Sequence, residues 1–154
     1  MWICSQVNCD DDSVLSVVAY AVDVLKVKHG RFTLVSRIRR GGLIRSLSLV
    51  IVVGHSNCGG ALACVRAAGA PPQPADNPLL RWLAPLTDLA RSLKVDSLDE
   101  AEALPLLVRE NVRQQLKNLA ETDTVKNALK RGDVHIHGWL YDLSSGKLSD
   151  LGMP

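Results

Sequence analysis

The chain is poor in cysteine, with four thiols (Cys4, Cys9, Cys58, Cys64) in 154 residues. That count argues against a disulfide framework and for thiols that are free or bound to metal, as in a reducing compartment. No apolar run approaches the roughly 20 residues of a membrane span. Met1-Trp2-Ile3-Cys4-Ser5 has no basic n-region leading into a long apolar stretch, so it does not read as a signal peptide. The formal net charge is only +2, far from the basic excess of a dedicated nucleic-acid binder. There is no internal repeat, no low-complexity segment, no Walker loop and no Gly-x-Ser-x-Gly elbow. What remains is an ordinary globular composition, 47% hydrophobic and 22% charged. Its length suits one domain with a real core.

Periodicity divides the chain into alternating elements. Asp10-Asp11-Asp12-Ser13 offers acidic caps, and Val14, Leu15, Val17, Val18, Ala21, Val22 and Leu25 follow at near-helical spacing, which predicts a helix over 13–25. Residues 30–50 break the rhythm. They carry Arg31, Arg37, Arg39, Arg40 and Arg45, no acidic residue, and a Gly41-Gly42 interruption. The plain reading is a solvated basic loop, and the alternative is an anion-binding one. The run Leu49–Val53 reads as a buried strand, and a helix is expected over 61–65. Residues 70–74 form a stiff Pro-rich linker. A helix is expected over 79–93 with Trp82, Leu83, Leu86 and Leu89 on one face and a kink at Pro85. Another is expected over 106–119, and a short helix capped by Thr122 or Asp123 stops at Gly132. Val134–Tyr141 alternates and is rich in β formers, so it is a strand; a turn at 144–147 lets Leu148–Leu151 pair back. The order predicts an α/β fold with a parallel β-sheet core flanked by helices.

The chemistry concentrates at Gly54-His55-Ser56-Asn57-Cys58-Gly59-Gly60, directly after the 49–53 strand. That is the carboxyl end of a strand, where α/β sheets place their sites. Imidazole and thiolate are ligands that zinc prefers, so His55 and Cys58 are the candidate metal ligands. Zinc takes at least three protein ligands, and this segment supplies two. His135 and His137 share one face of a strand and can also ligate, although a polar strand face next to a hairpin is the stronger reading. Cys64 reads as core. Cys4 and Cys9 read as incidental thiols without a secondary-structure anchor. A Cys58–His55 nucleophilic dyad is unusual at three residues' separation on one turn.

The motif Gly54–Gly60 resembles the zinc motif of the β-class carbonic anhydrases. Ala19–His29 resembles the helix that leads into it, above all in the fungal branch. Glu110-Asn111-Val112 and Thr122-Asp123-Thr124-Val125 resemble the family's later helices, and His137-Gly138-Trp139-Leu140-Tyr141-Asp142 its last core strand. The resemblance implies Zn2+ as cofactor and reversible hydration of carbon dioxide to bicarbonate, a carbonate dehydratase (lyase) activity in which zinc-bound hydroxide attacks carbon dioxide. It implies His55 and Cys58 as two of three protein ligands. The family's other ligand comes from a Cys-x-Asp-Ser-Arg segment on an earlier strand, whose Asp and Arg form a dyad at the fourth zinc position. Neither Cys4 nor Cys9 reproduces that pattern, so the catalytic dyad is unassigned.

The expectations are therefore a single, N-terminally incomplete domain over 1–154, with the first strands missing and an atypical insertion at about 30–50 of translated non-coding origin. Hydratase activity is expected to be weak or absent. Carbon dioxide and bicarbonate are the expected partners, with no nucleic acid and no membrane, and the family implies a homo-oligomer. The expected location is cytoplasmic, with a mitochondrial one left open. Two rival readings are a non-catalytic binding or regulatory relative using the basic Arg31–Arg45 loop, and a thiol redox role for Cys58.

Overall fold

The structure is a computed structural model that describes residues 2–3, 12–24, 48–71 and 77–152. Arg31–Arg45, Cys4, Cys9 and Leu25 lie outside the described residues, as does most of the expected 70–74 linker. In chain order the elements are β1 (Trp2–Ile3), α1 (Asp12–Ala19), β2 (Ser48–His55), α2 (Gly59–Ala68), α3 (Pro78–Ser92), α4 (Glu100–Glu121), α5 (Asp123–Arg131), β3 (Val134–Tyr141) and β4 (Leu148–Asp150). A π-helical turn, Tyr20–Val24, continues α1, and a short 3-10 turn, Val95–Ser97, joins α3 to α4.

The four strands form one sheet in the order β1-β2-β3-β4, parallel across β1, β2 and β3 and antiparallel at β4. The expected parallel core is present, with a short antiparallel edge added by the 144–147 turn. One expectation is corrected. The N-terminus supplies a strand after all, because Trp2 and Ile3 pair in parallel with Ile51 and Val52. Both are β formers, and an exposed edge of β2 is open to pairing. A second correction concerns the site strand. It runs from Ser48 through Gly54 and His55, not 49–53, because the ladder to β3 continues as far as His55↔Tyr141. Residues 48–50 thus belong to the site strand.

Two core clusters lie on the helix side of this sheet. In one, Val50 and Val52 of β2 and Val134 and Ile136 of β3 meet Val18 of α1, Val22, Val112, Leu116 and Leu119 of α4, and Val125 and Ala128 of α5. Their even parity along both strands puts them on one sheet face. The second cluster joins Ala61, Cys64 and Val65 of α2 to Leu83, Leu86 and Ala90 of α3 and Leu107 and Val108 of α4. Cys64 is core, as expected, at 1% exposure. Trp82, grouped by periodicity with Leu83 and Leu86, stays 46% exposed at the margin of that cluster.

α2 and α4 are longer than periodicity predicts, and α3 is shifted by one residue. α3 starts at Pro78, with Asn77 as N-cap accepting from the Leu80 N–H (2.9 Å), and runs on through Pro85. α4 begins at Glu100, capped by the Asp99 carboxylate accepting from the Glu102 N–H (2.8 Å), and includes Pro105. Pro105 is the sixth helical residue, so its ring removes one intrahelical bond, the one an N–H there would make to the Ala101 carbonyl. α5 ends as predicted, on Gly132 in the left-handed region (φ 69). α4 crosses the sheet at two glycines. A Cβ on Gly54 would stand 2.7 Å from Val112 Cγ2, and one on Gly138 would stand 2.7 Å from Leu116 Cδ1. Glycine at these two strand positions sets how closely α4 approaches the site strand.

Candidate metal centre

His55 is the last residue of β2, at the carboxyl end of a parallel pair. The ladder is carried one step further by the Ser56 N–H, which donates to the Tyr141 carbonyl (2.9 Å). The chain then reverses through Ser56 and Asn57. Asn57 takes φ 55, a left-handed conformation that Asn tolerates better than other residues with a side chain. Cys58 returns to extended geometry (φ −69, ψ 113) as the N-cap of α2, and its carbonyl accepts the Leu62 N–H (2.9 Å). Two ligand types thus face one cleft because a strand end, a two-residue turn and a helix start follow without a spare residue.

Both side chains are half-buried and both line one small cavity of about 70 Å³. Its walls are largely apolar, from Val53, Ala61, Leu83, Leu86 and Val108, with Trp82 also lining it. A cavity of that size suits a molecule of a few atoms. Gln115, on α4, lines it as well and is the one buried polar residue among the described core. Its amide donates to Asn111 Oδ1 (2.9 Å) and its Oε1 accepts from Asn118 Nδ2 (3.3 Å), so its burial is compensated.

The donor set fits a metal at two positions. His55 Nδ1 lies 2.9 Å from the Ser56 carbonyl, which can only accept, so Nδ1 carries the proton and Nε2 keeps its lone pair. The Cys58 thiol is free of any disulfide and makes no capping bond. Among the described residues, no group of three His, Cys, Asp or Glu side chains comes together. Cys64 takes no part: its thiol donates to the Leu83 carbonyl (3.8 Å) inside the α2–α3 core. Burial pushes that thiol's pKa up, Thr87 pulls it partly back, and Cys58 adds to the rise. His135 is exposed. His137 lies 3.6 Å from Asp150 and pairs with Ile51, four residues before His55. At about 3.3 Å per residue that separates His137 from the His55 level by roughly 13 Å. Of the five described histidines and cysteines weighed, the structure brings together His55 and Cys58.

Sequence reasoning did not find the hydrogen-bond knot behind the turn. The Ser56 hydroxyl donates to Asp142 Oδ1 (3.0 Å) and accepts from the Leu143 N–H (2.9 Å). Asp142 also accepts from the Ser144 N–H (3.1 Å) and from the Ser144 and Ser145 hydroxyls. These donors, Ser145 first, hold its carboxyl far below the usual carboxylate range. The signal was available only as Ser56 standing inside the motif; its partner is 86 residues away.

Comparison with known proteins agrees with this geometry. The sequence model of the carbonic anhydrase family matches residues 44–148, more than half of the chain. A carbonic anhydrase of Pseudomonas aeruginosa is 36% identical over 104 residues, covering 66% of this chain and 46% of that protein. One from Emericella nidulans is 30% identical over 148 residues, covering 93% of this chain and 53% of its own length. The chain therefore spans about half the length of these curated relatives. Among solved structures, a tetrameric β-carbonic anhydrase of Sordaria macrospora superposes with a TM-score of 0.70 at 27% identity, covering 96% of this chain and 64% of that one. The β-carbonic anhydrase CafA of Aspergillus fumigatus gives 0.69 at 29% identity, with 95% and 59% coverage. A family match over most of the chain, the parallel sheet and a His-x-x-Cys turn at its carboxyl end agree with one another: the chain belongs to the carbonic anhydrase family, in its β class.

Proposed function

We propose that this chain hydrates carbon dioxide reversibly to bicarbonate on a zinc ion held by His55 Nε2 and the Cys58 thiolate. The observation that carries this reading is the convergence of the two side chains on one small, mainly apolar cavity. When bound, zinc supplies a water acidified enough to act as nucleophile at neutral pH. The chain's own residues do the rest. The Ser56 carbonyl holds the imidazole in one tautomer. Val53, Leu83, Leu86 and Val108 line a pocket suited to an uncharged, apolar triatomic substrate and poor in groups that would retain a charged product.

Among the described residues no third His, Cys, Asp or Glu joins the pair. The Asp-Ser-Arg continuation of the family pattern is absent from the sequence after Cys4. On that ground hydration is expected to be slow. The reading includes a homo-oligomer, favoured by Leu79 (60% exposed) and Trp82 (46%) on α3. It also includes a cytoplasmic location, favoured by the low cysteine count and by sparse, free thiols. Among the described residues no helix is long and apolar enough to cross a membrane.

The test is metal analysis of the purified full chain beside stopped-flow hydration of carbon dioxide. Zinc near one equivalent, lost in His55→Ala and in Cys58→Ala, supports the reading. A wild-type chain that takes up no zinc refutes the metal site. Stoichiometric zinc with fast hydration refutes the expectation of slow turnover.

A further inference from the structure

We propose that Ser56 and Asp142 are positioning residues for the metal pair, locking the His55–Cys58 turn onto the end of β3. This rests on the zinc reading above and names what holds its geometry. Ser56 is the residue through which the turn is tied at every point. Its N–H donates to the Tyr141 carbonyl, its hydroxyl accepts from the Leu143 N–H, and the same hydroxyl donates to Asp142 Oδ1. Three consecutive residues at the end of β3, Tyr141, Asp142 and Leu143, thus grip one residue between His55 and Cys58. The carbonyl of that same Ser56 receives the His55 Nδ1 proton. A connected path therefore runs from the Asp142 carboxylate through Ser56 to the imidazole that presents Nε2.

Asp142 is itself fixed. Ser144 and Ser145 supply further donors to both carboxylate oxygens, so the 142–145 loop wraps around it. The carboxylate is charged across the ordinary pH range, which strengthens each of these bonds. The opposite side of the turn has no equivalent hold. Cys58 makes no side-chain cap, and Asn57 sits in a left-handed conformation that a free turn would give up readily. Outer partners that orient metal-binding histidines typically contribute 10–100-fold to metal affinity.

The experiment compares wild type with Ser56→Ala, Asp142→Asn and Ser56→Thr, each as the full chain. Zinc affinity is read by competition with a chromophoric chelator, and the His55 tautomer by 15N shifts of the metal-free protein. Ser56→Ala and Asp142→Asn are expected to weaken zinc binding about 10–100-fold and to broaden the His55 tautomer distribution. Ser56→Thr, which keeps the hydroxyl, is expected to stay within a few-fold of wild type. Unchanged zinc affinity and an unchanged His55 tautomer in both disruptive variants would overturn the proposal, as would a Ser56→Thr defect equal to Ser56→Ala. If wild type binds no zinc, the metal reading fails by itself. The tautomer shifts then decide the positioning role, and identical spectra in wild type, Ser56→Ala and Asp142→Asn overturn it.

Discussion

Replacing Gly54 by alanine tests whether α4 is pressed against the site strand as closely as the structure places it. An added Cβ would meet Val112 Cγ2 at 2.7 Å, Val108 Cγ1 at 3.0 Å and Leu140 Cδ2 at 3.2 Å. Comfortable carbon–carbon contact begins near ~3.5 Å, so the worst of these is short by about 0.8 Å. Val112 is 2% exposed, and a helical valine has essentially one χ1 rotamer, so it cannot swing aside. Either the helix or the strand has to move. Overpacking of this kind costs ~1–3 kcal/mol. Alanine offsets part of that, ~0.5–1 kcal/mol, by restricting the unfolded chain more than glycine does. The net expectation is a destabilisation of about 1–2 kcal/mol, a fall in Tm of roughly 2–8 °C for a domain of this length. Thermal unfolding at fixed protein concentration reads it. Gly59→Ala is the matched control: nothing lies within 4 Å of its added Cβ, so it should be neutral or stabilising. Val112→Ala in the Gly54→Ala background makes room again, and the cycle should show a favourable coupling of about 1 kcal/mol or more. A Gly54→Ala chain as stable as wild type, or a strictly additive cycle, would refute the close approach.

Three further outcomes follow from the site and the core. Cys58→Ser should lower bound zinc well below the wild-type content by elemental analysis, whereas Cys64→Ser should not, because the Cys64 thiol is spent in the α2–α3 core. Native Cys64 should resist alkylation at pH 8 and become labelled only on unfolding, since it is 1% exposed and its thiol pKa is raised by burial; rapid native labelling at that position counts against the packing described. The Asp142 carboxyl is depressed in the folded chain, so its contribution to stability is complete above the ordinary aspartate pKa of about 3.9 and fades as pH falls below it. Urea midpoints from pH 6 down to pH 2.5 should therefore fall more steeply for wild type than for Asp142→Asn. Parallel curves would show that the carboxylate is not held as described.

The sheet was legible in the sequence because its two long strands advertise themselves differently. Leu49–Val53 is a continuous apolar run, as a strand buried between parallel neighbours should be, and Val134–Tyr141 alternates, as a strand with one open face should. The exits were legible where the chemistry is local: Gly132 stops α5 in a left-handed conformation that glycine takes without strain and other residues rarely adopt. The start of α4 was placed too late, at 106: the Asp99 cap lies upstream, and the helix runs through Pro105. The N-terminal strand was missed because two residues carry no period. Trp2 and Ile3 become a strand only through pairing with Ile51 and Val52, which no local pattern encodes.

The metal turn shows the same division at finer scale. The His55–Cys58 pair was legible because the two residues stand three positions apart on one turn. What keeps them in place was not, because the Ser56 partner lies 86 residues along the chain and Asp142 looks like any polar residue at a strand end. The structure makes the two dependent. β2 and β3 pair in full register from Ser48↔Val134 to His55↔Tyr141, so wherever β2 ends at His55, β3 must end at Tyr141 and present Asp142 beside Ser56. A slip of the β3 register by one residue would turn every core side chain of that strand outward and, in the same step, remove the carboxylate from the Ser56 hydroxyl. The packing of Val134 and Ile136 against α4 and α5, remote from any chemistry, is therefore what fixes the turn that carries His55 and Cys58.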